Sequence, residues 1–423
     1  MKLAQLSIFI TLICAPLYIL RSYVILPGIN LYLPFTLLEV LILATTFITG
    51  TVFIQEKYPL RSLRTKFDWL ILLFLIAGFV AVYTSYNFIG GLGILKAYFI
   101  EPILFYYCLT FVGSYKGYRF VILGLIGAGV WLSILALLQK FFGLLVFAPI
   151  EYEQGRVTAV FNSGNSLALF LGPLALLAFS RFFTIEHEQA PSFRSKKYSK
   201  YLYLGLFFLF LMVLIYTRSR GGLISLVGAL SVFTYAAITI KSAFFRKIWY
   251  VVPVIVLICL TTFFSYFYQN YDFFRIDYSR PYTDGDTLQI RYFIWSGTVN
   301  MLKDHLIFGA GLNGFKTLYS NQYRPVQYQE QFQYPHNILL TFWTEVGMLG
   351  LFSFLLLVVS MYGVLIRNLV KSKKPIFGAA LLAMISYWML HGMVDVPYFK
   401  NDLSLEFWVV VGLVTLWDSK ATT

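Results

Sequence analysis

His336 stands between Pro335 and Asn337, where a polar, tyrosine-rich stretch gives way to a long apolar run. A neutral imidazole titrates near pH 6.5, so at neutral pH it can take a proton from a hydroxyl, and Asn337 beside it can orient the ring or a substrate. General-base help of this kind contributes roughly 10² to 10⁴ in rate. Four arginines offer the complementary chemistry: Arg156, then Arg218 and Arg220 in Thr217-Arg218-Ser219-Arg220-Gly221-Gly222, and Arg291. A guanidinium fork donates two parallel hydrogen bonds and keeps its charge, so several forks around one cavity suit a pyrophosphate. A base for an alcohol and a cationic grip for a diphosphate together describe group transfer. Each residue also has a plainer reading. His336 can be a helix cap, and the arginines can face lipid headgroups or pair with acids such as Glu151 and Glu153.

The elements that must position these groups are apolar helices. Of the 423 residues 59% are hydrophobic and only 12% charged, and the mean hydropathy is +0.73. That is more apolar surface than a soluble core of this size hides, which makes the chain an integral membrane protein. A hydrocarbon core takes roughly 20 apolar residues per helical span. About twelve such runs begin near Leu3, Leu33, Trp69, Gly93, Phe120, Ala159, Tyr201, Gly221, Ile248, His336, Ile376 and Leu403. The expected fold is an all-α polytopic membrane protein with about 12 transmembrane helices. It forms one membrane domain over 1–423, with a large, mostly helical external loop, 268–334, inserted between the ninth and tenth helices. The first run, behind Lys2, lacks a small-x-small cleavage site and reads as an uncleaved helix. Cys14, Cys108 and Cys259 lie scattered inside runs, as small apolar fillers.

Orientation follows from Lys and Arg in short loops. With the N-terminus inside, the cytoplasmic segments hold most of the cations, from Lys57, Arg61, Arg64 and Lys66 through Arg194, Lys196, Lys197 and Lys200 to Arg367, Lys371, Lys373 and Lys374. Outside the long loop, the opposite face has Arg21, Arg156, Arg218, Arg220 and Lys400. This bias predicts both termini in the cytoplasm. The net charge of +14 then reflects topology and anionic lipid rather than nucleic acid. An arginine kept near the membrane on the unfavoured side costs up to roughly 2.5 to 3.5 kcal/mol at the bilayer centre, so something anionic compensates there.

Within the loop, Tyr292, Trp295, Val299, Leu302 and Leu306 recur at three- and four-residue steps, which predicts an amphipathic cap helix stopped by Gly309-Ala310-Gly311. Gly309-Ala310-Gly311-Leu312-Asn313-Gly314 spells G-x-G-x-x-G but lacks the βαβ context of a dinucleotide site. Asp284-Gly285-Asp286 reads as an exposed turn rather than a metal site. His391 and Asp395, four residues apart, would share one helix face and could pair. Glu345, Glu406, Lys96 and Glu101 are intramembrane charges that need partners or a cavity.

Several motifs, in order, resemble the O-antigen ligase and O-antigen polymerase superfamily. They are Arg156 followed by Phe161-Asn162 and Asn165, Ser219-Arg220-Gly221 opening a span, Arg291-x-x-x-Trp295, Gly309-x-Gly311-x-x-x-Phe315, His336-Asn337, and Glu345 with Gly347 and Gly350. The resemblance implies a glycosyltransferase of the bacterial cytoplasmic (inner) membrane. It would move a glycan from an undecaprenyl-pyrophosphate-linked donor to an acceptor hydroxyl on the outer face, with inversion and without cofactor, metal or nucleotide sugar. It assigns Arg156, Arg220 and Arg291, with Arg218 beside them, to the pyrophosphate, His336 and Arg291 to catalysis, and Asn337 and Glu345 to support. The acceptor stays open between lipid A core, another repeat unit, a protein side chain and a wall polymer, so ligase and polymerase both remain. A flippase or transporter of a lipid-linked or anionic substrate would share the spans and the cationic cavity, but no repeat is visible and the chemistry-bearing residues gather on one side.

Overall fold

The computed structural model describes residues 1–26, 31–184, 193–242, 287–325 and 331–419. The run near Ile248, Asp284-Gly285-Asp286, and parts of 268–334 lie outside them. The described chain is almost all helix, in the order α1 (Lys2–Cys14), α2 (Leu37–Gln55), α3 (Asp68–Tyr83), α4 (Phe88–Ile94), α5 (Glu101–Lys116), α6 (Arg119–Phe142), α7 (Pro149–Glu153), α8 (Gly164–Thr184), α9 (Phe193–Tyr216) and α10 (Arg220–Lys241). Then come α11 (Thr287–Asp304), α12 (Phe315–Leu318), α13 (Ile338–Asn368), α14 (Pro375–His391) and α15 (Asn401–Ser419). Among the described residues, eight helical stretches are long and apolar enough to cross a membrane, and α3 and α14 are shorter apolar helices. The chain is a multi-pass membrane protein. Eleven of the twelve expected runs coincide with helices, these ten and α15, and the twelfth, near Ile248, lies outside the described residues.

Helix α15 is the axis of the bundle. It carries Asp402 and Glu406, yet nearly every residue from Asn401 to Trp417 is buried, Trp408 and Trp417 completely so. Its position inside is set by its neighbours, since α5, α13 and α14 pack around it. Further contacts join α10 and α8 to α14, α8 to α9, α1 to α6, and α3 to α13. Where α8 and α14 cross, Gly172 leaves room for the Tyr387 ring, whose hydroxyl donates to the Ala168 carbonyl at 2.7 Å.

Three expectations need correction. The second span begins at Leu37 rather than Leu33, because Thr36 and Glu39 form a reciprocal capping box. The residues before it, Leu31–Thr36, pair antiparallel with Arg21–Leu26 as a two-stranded hairpin, with Arg21 opposite Thr36, so the fold is not purely helical. The cap helix exists as α11, and of the predicted stripe Leu302 is buried, but the rest of its buried face is Phe293, Ile294, Thr298 and Met301. Val299 is exposed. Leu306 lies beyond the helix end and is exposed as well. Trp295 stays half-buried because its indole N–H reaches out to the Pro335 carbonyl at 2.8 Å.

Candidate active site

His336 is held by the start of α13. The Asn337 side chain caps that helix, accepting from the Leu339 and Leu340 amides at 3.0 and 3.1 Å, and donates to the Met393 carbonyl at 3.0 Å. The Ile338 amide donates to the Gly392 carbonyl at 2.6 Å. With the indole of Trp295 on Pro335, these bonds pin both neighbours of His336, whose φ of 51° is unusual for a residue with a side chain. Left-handed backbone at such a point is stored strain, tolerated because the surroundings over-determine it. Asn337 is thus cap and tether in one side chain.

The partner of the imidazole is Asp395. Its Oδ1 lies 3.4 Å from His336 Nδ1, with 37% of the histidine side chain exposed and 12% of the aspartate. Burial alone would raise the Asp395 carboxyl. The hydrogen bond and charge of His336, the charge of His391 and the amide of Val396 outweigh burial and hold the group below the ordinary carboxylate range. A carboxylate at Nδ1 favours the tautomer that leaves Nε2 bare, so Nε2 is the basic atom. The pairing of His391 with Asp395 on one helix face does not form. Helix α14 stops at His391, Asp395 falls in the following loop, and His391 instead lies 3.5 Å from the Ser219 hydroxyl.

Arg291 reaches the same loop from α11. Its Nε and a terminal nitrogen donate to the Val394 carbonyl at 3.3 and 3.2 Å, and Asp395 sustains its charge against burial. The turn carrying Arg220 closes the third side. Gly221 has no room for a β-carbon, which would meet Val394 and His391 at 2.9 and 3.1 Å. Ser219 caps α10, accepting from the Gly222 amide at 3.2 Å, and Arg220 follows it with its side chain exposed. His336, Arg291 and the turn that carries Arg220 therefore converge on residues 391–395.

Arg156 and Arg218 adjoin this cluster but are engaged with protein. Arg156 binds Glu151 at 2.9 Å, the Asn165 side chain at 2.8 Å and the Thr217 carbonyl at 2.9 Å. Arg218 lies over Gly155 and donates to the Gln154 carbonyl at 2.8 Å. These contacts clamp α7 and the start of α8 to the turn before α10, so the ion-pair reading foreseen for such arginines describes Arg156. Lys400, just ahead of α15, is a residue that spacing alone did not single out. Its ammonium donates to Ser166, and burial depresses it while Asp402 and Asp395 oppose. Helices α8, α10, α13 and α15 all start on this face, and each N-terminus presents a partial positive charge.

Glu345 supports from below. Its carboxylate accepts the Asn313 amide at 2.5 Å and the Phe315 amide at 3.2 Å, fixing the Gly309-x-Gly311 turn against α13. That turn fills a break in the helix at Gly347, where φ is 72°. The Ala310 amide donates to the Thr344 carbonyl at 2.7 Å, and the Met348 amide to the Ile307 carbonyl at 2.9 Å. The glycines serve this close approach rather than a nucleotide.

The O-antigen ligase family model matches residues 205–355. Over that stretch, about a third of its length, the chain is similar to the O-antigen ligase family. No curated protein matches it. The O-antigen ligase match runs from α9 through the break in α13 and so takes in Arg218, Arg220, Arg291, His336, Asn337 and Glu345, while Arg156, Asp395 and Lys400 fall outside it.

Proposed function

We propose that this chain is a membrane glycosyltransferase that moves a glycan from an undecaprenyl pyrophosphate donor to an acceptor hydroxyl at the outer face of the cytoplasmic membrane, both termini being cytoplasmic. The observation that carries the reading is the convergence of His336 and Arg291 on consecutive residues, Asp395 and Val394, with the Arg220 turn packed on Val394. The acceptor oxygen attacks the anomeric carbon while its proton passes to Nε2 of His336. The bond from that carbon to the pyrophosphate oxygen breaks, with inversion. Arg291 and Arg220, aided by the helix N-termini, meet the charge that develops on the departing diphosphate, usually the largest single catalytic contribution. Asp395 stabilises the imidazolium formed in the same step. Arg156 and Arg218 shape the donor side through α7 and the α10 turn.

The test is glycan transfer by the purified chain in nanodiscs, with a defined undecaprenyl pyrophosphate glycan, candidate acceptors and EDTA. Product forms, and His336→Ala and Arg291→Ala lose it almost completely while remaining folded. Movement of the lipid-linked glycan across sealed vesicles without a new glycosidic bond would overturn the assignment in favour of a flippase.

A further inference from the structure

The break at Gly347 divides α13 unequally. Below it, Met348 to Asn368 makes roughly 21 residues, about 31 Å at 1.5 Å per residue, which matches a hydrocarbon core of about 30 Å. Above it, Ile338 to Val346 adds about 13 Å. The turn that plugs the break, Leu306-Ile307-Phe308, therefore sits at the level where one complete span ends. All three of its side chains are exposed, Ile307 by 60%. Three adjacent apolar side chains on a turn are out of place in water.

A second helix marks the same level. Helix α3 ends at Tyr83, and the segment after it grips the turn: the Tyr86 amide donates to the Ala310 carbonyl at 3.3 Å, the Ser85 hydroxyl to the Leu312 carbonyl at 2.6 Å, and the Leu312 amide to the Ala81 carbonyl at 3.0 Å. Tyr83 is 86% exposed, and Tyr86, Phe88 and Ile89 are exposed beside it. Tyrosines in such a place are what a membrane–water boundary selects. The apolar turn is also continuous with lipid-facing residues of the spans beneath, Phe352 and Val359 on α13 and Phe79 on α3.

We infer that Leu306-Ile307-Phe308, with Tyr83 and Tyr86, is an interfacial anchor that dips into the acyl boundary of the leaflet nearest the site. It fixes the foot of the upper part of α13, whose nine residues, about 13 Å long, carry His336 just beyond their far end. The occupant of this surface is lipid. The membrane contact stands on the geometry alone. Its use, which rests on the function proposed above, is to hold the site where a diphosphate lies among headgroups while its polyprenyl tail stays in hydrocarbon.

The test uses the full-length chain in phosphatidylcholine and phosphatidylglycerol nanodiscs, with Cys14, Cys108 and Cys259 changed to alanine. Nitroxide labels are placed singly at Phe308→Cys, at Val359→Cys within the span and at Asn300→Cys on the exposed face of α11, and their accessibility to oxygen and to a soluble nickel chelate is compared. The label at 308 is expected to favour oxygen, as at 359, and the one at 300 to favour nickel. A label at 308 that behaves like the one at 300 overturns the anchor. In transfer assays, Phe308→Asp is expected to raise KM for a full-length polyprenyl donor about tenfold, with a short water-soluble donor unaffected and Phe308→Leu close to the parent. Unchanged KM in Phe308→Asp overturns the height-setting role. Absence of transfer by the parent chain is a failure of the proposed function, and the label result is independent of it.

Discussion

Replacing Asp395 with asparagine keeps shape and removes one charge beside the imidazole. When His336 takes the acceptor proton it becomes a cation 3.4 Å from Asp395 Oδ1. Coulomb's law at an effective dielectric of 20 gives about 5 kcal/mol at that separation. The histidine side chain is 37% exposed, so solvent screening roughly halves this, to about 2.4 kcal/mol. At 1.4 kcal/mol per factor of ten, kcat is expected to fall about 50-fold. In the function proposed above the ground state binds donor through the arginines, so KM for the donor should hardly move. Steady-state transfer with varied donor at saturating acceptor measures both quantities. A kcat within threefold of the parent, or a loss confined to KM, would show that Asp395 does not act through His336.

The same carboxylate sets a pH dependence of stability. Its folded-state pKa is depressed by His336, His391 and Val396 against the opposing effect of burial. Its contribution is therefore complete above the unfolded value of about 3.9 and fades as pH falls through the folded one. Asp395→Asn should lower Tm at pH 7, with the gap to the parent narrowing below about pH 4, as thermal scans across that range would reveal. Gly347→Ala forces a side chain into positive φ with its β-carbon 2.5 Å from the Ile307 carbonyl oxygen, so a destabilisation of about 2 kcal/mol or more is expected in denaturation of the purified protein. Arg220→Ala should weaken donor binding and transfer together by about 1.5 to 3 kcal/mol, read from kcat/KM, because an exposed guanidinium is lost without disturbing an internal ion pair. Arg156→Ala should instead lower Tm first, since it releases Glu151.

Much of this was legible in the residues. Apolar runs announced most spans directly, and the contrast between those runs and a polar stretch pointed to His336 and the arginines. What stayed hidden depends on where elements stop. Asp395 looks like a helical neighbour of His391 until α14 ends at His391 and hands it to His336. Asp402 and Glu406 argue against a core helix by composition, yet α15 is among the most enclosed of the described helices, because its neighbours rather than lipid surround it. The orientation of α11 was only partly legible because Trp295 stays near the rim, where its indole finds a carbonyl, while Phe293, Ile294 and Met301 face inward. Glu345, Gly347 and Gly309 were visible as separate signals. Only folding reveals that they are parts of one joint.

That joint has a mechanical corollary. Backbone groups of the interrupted helix are satisfied by the inserted turn, so prising the two apart would leave buried amides and carbonyls unpaired, at about 1 to 3 kcal/mol each. The α11 segment is consequently riveted to the transmembrane bundle and does not swing like a door. Any long-chain lipid substrate is thus expected to slide in sideways, between helices, past a segment that does not move aside.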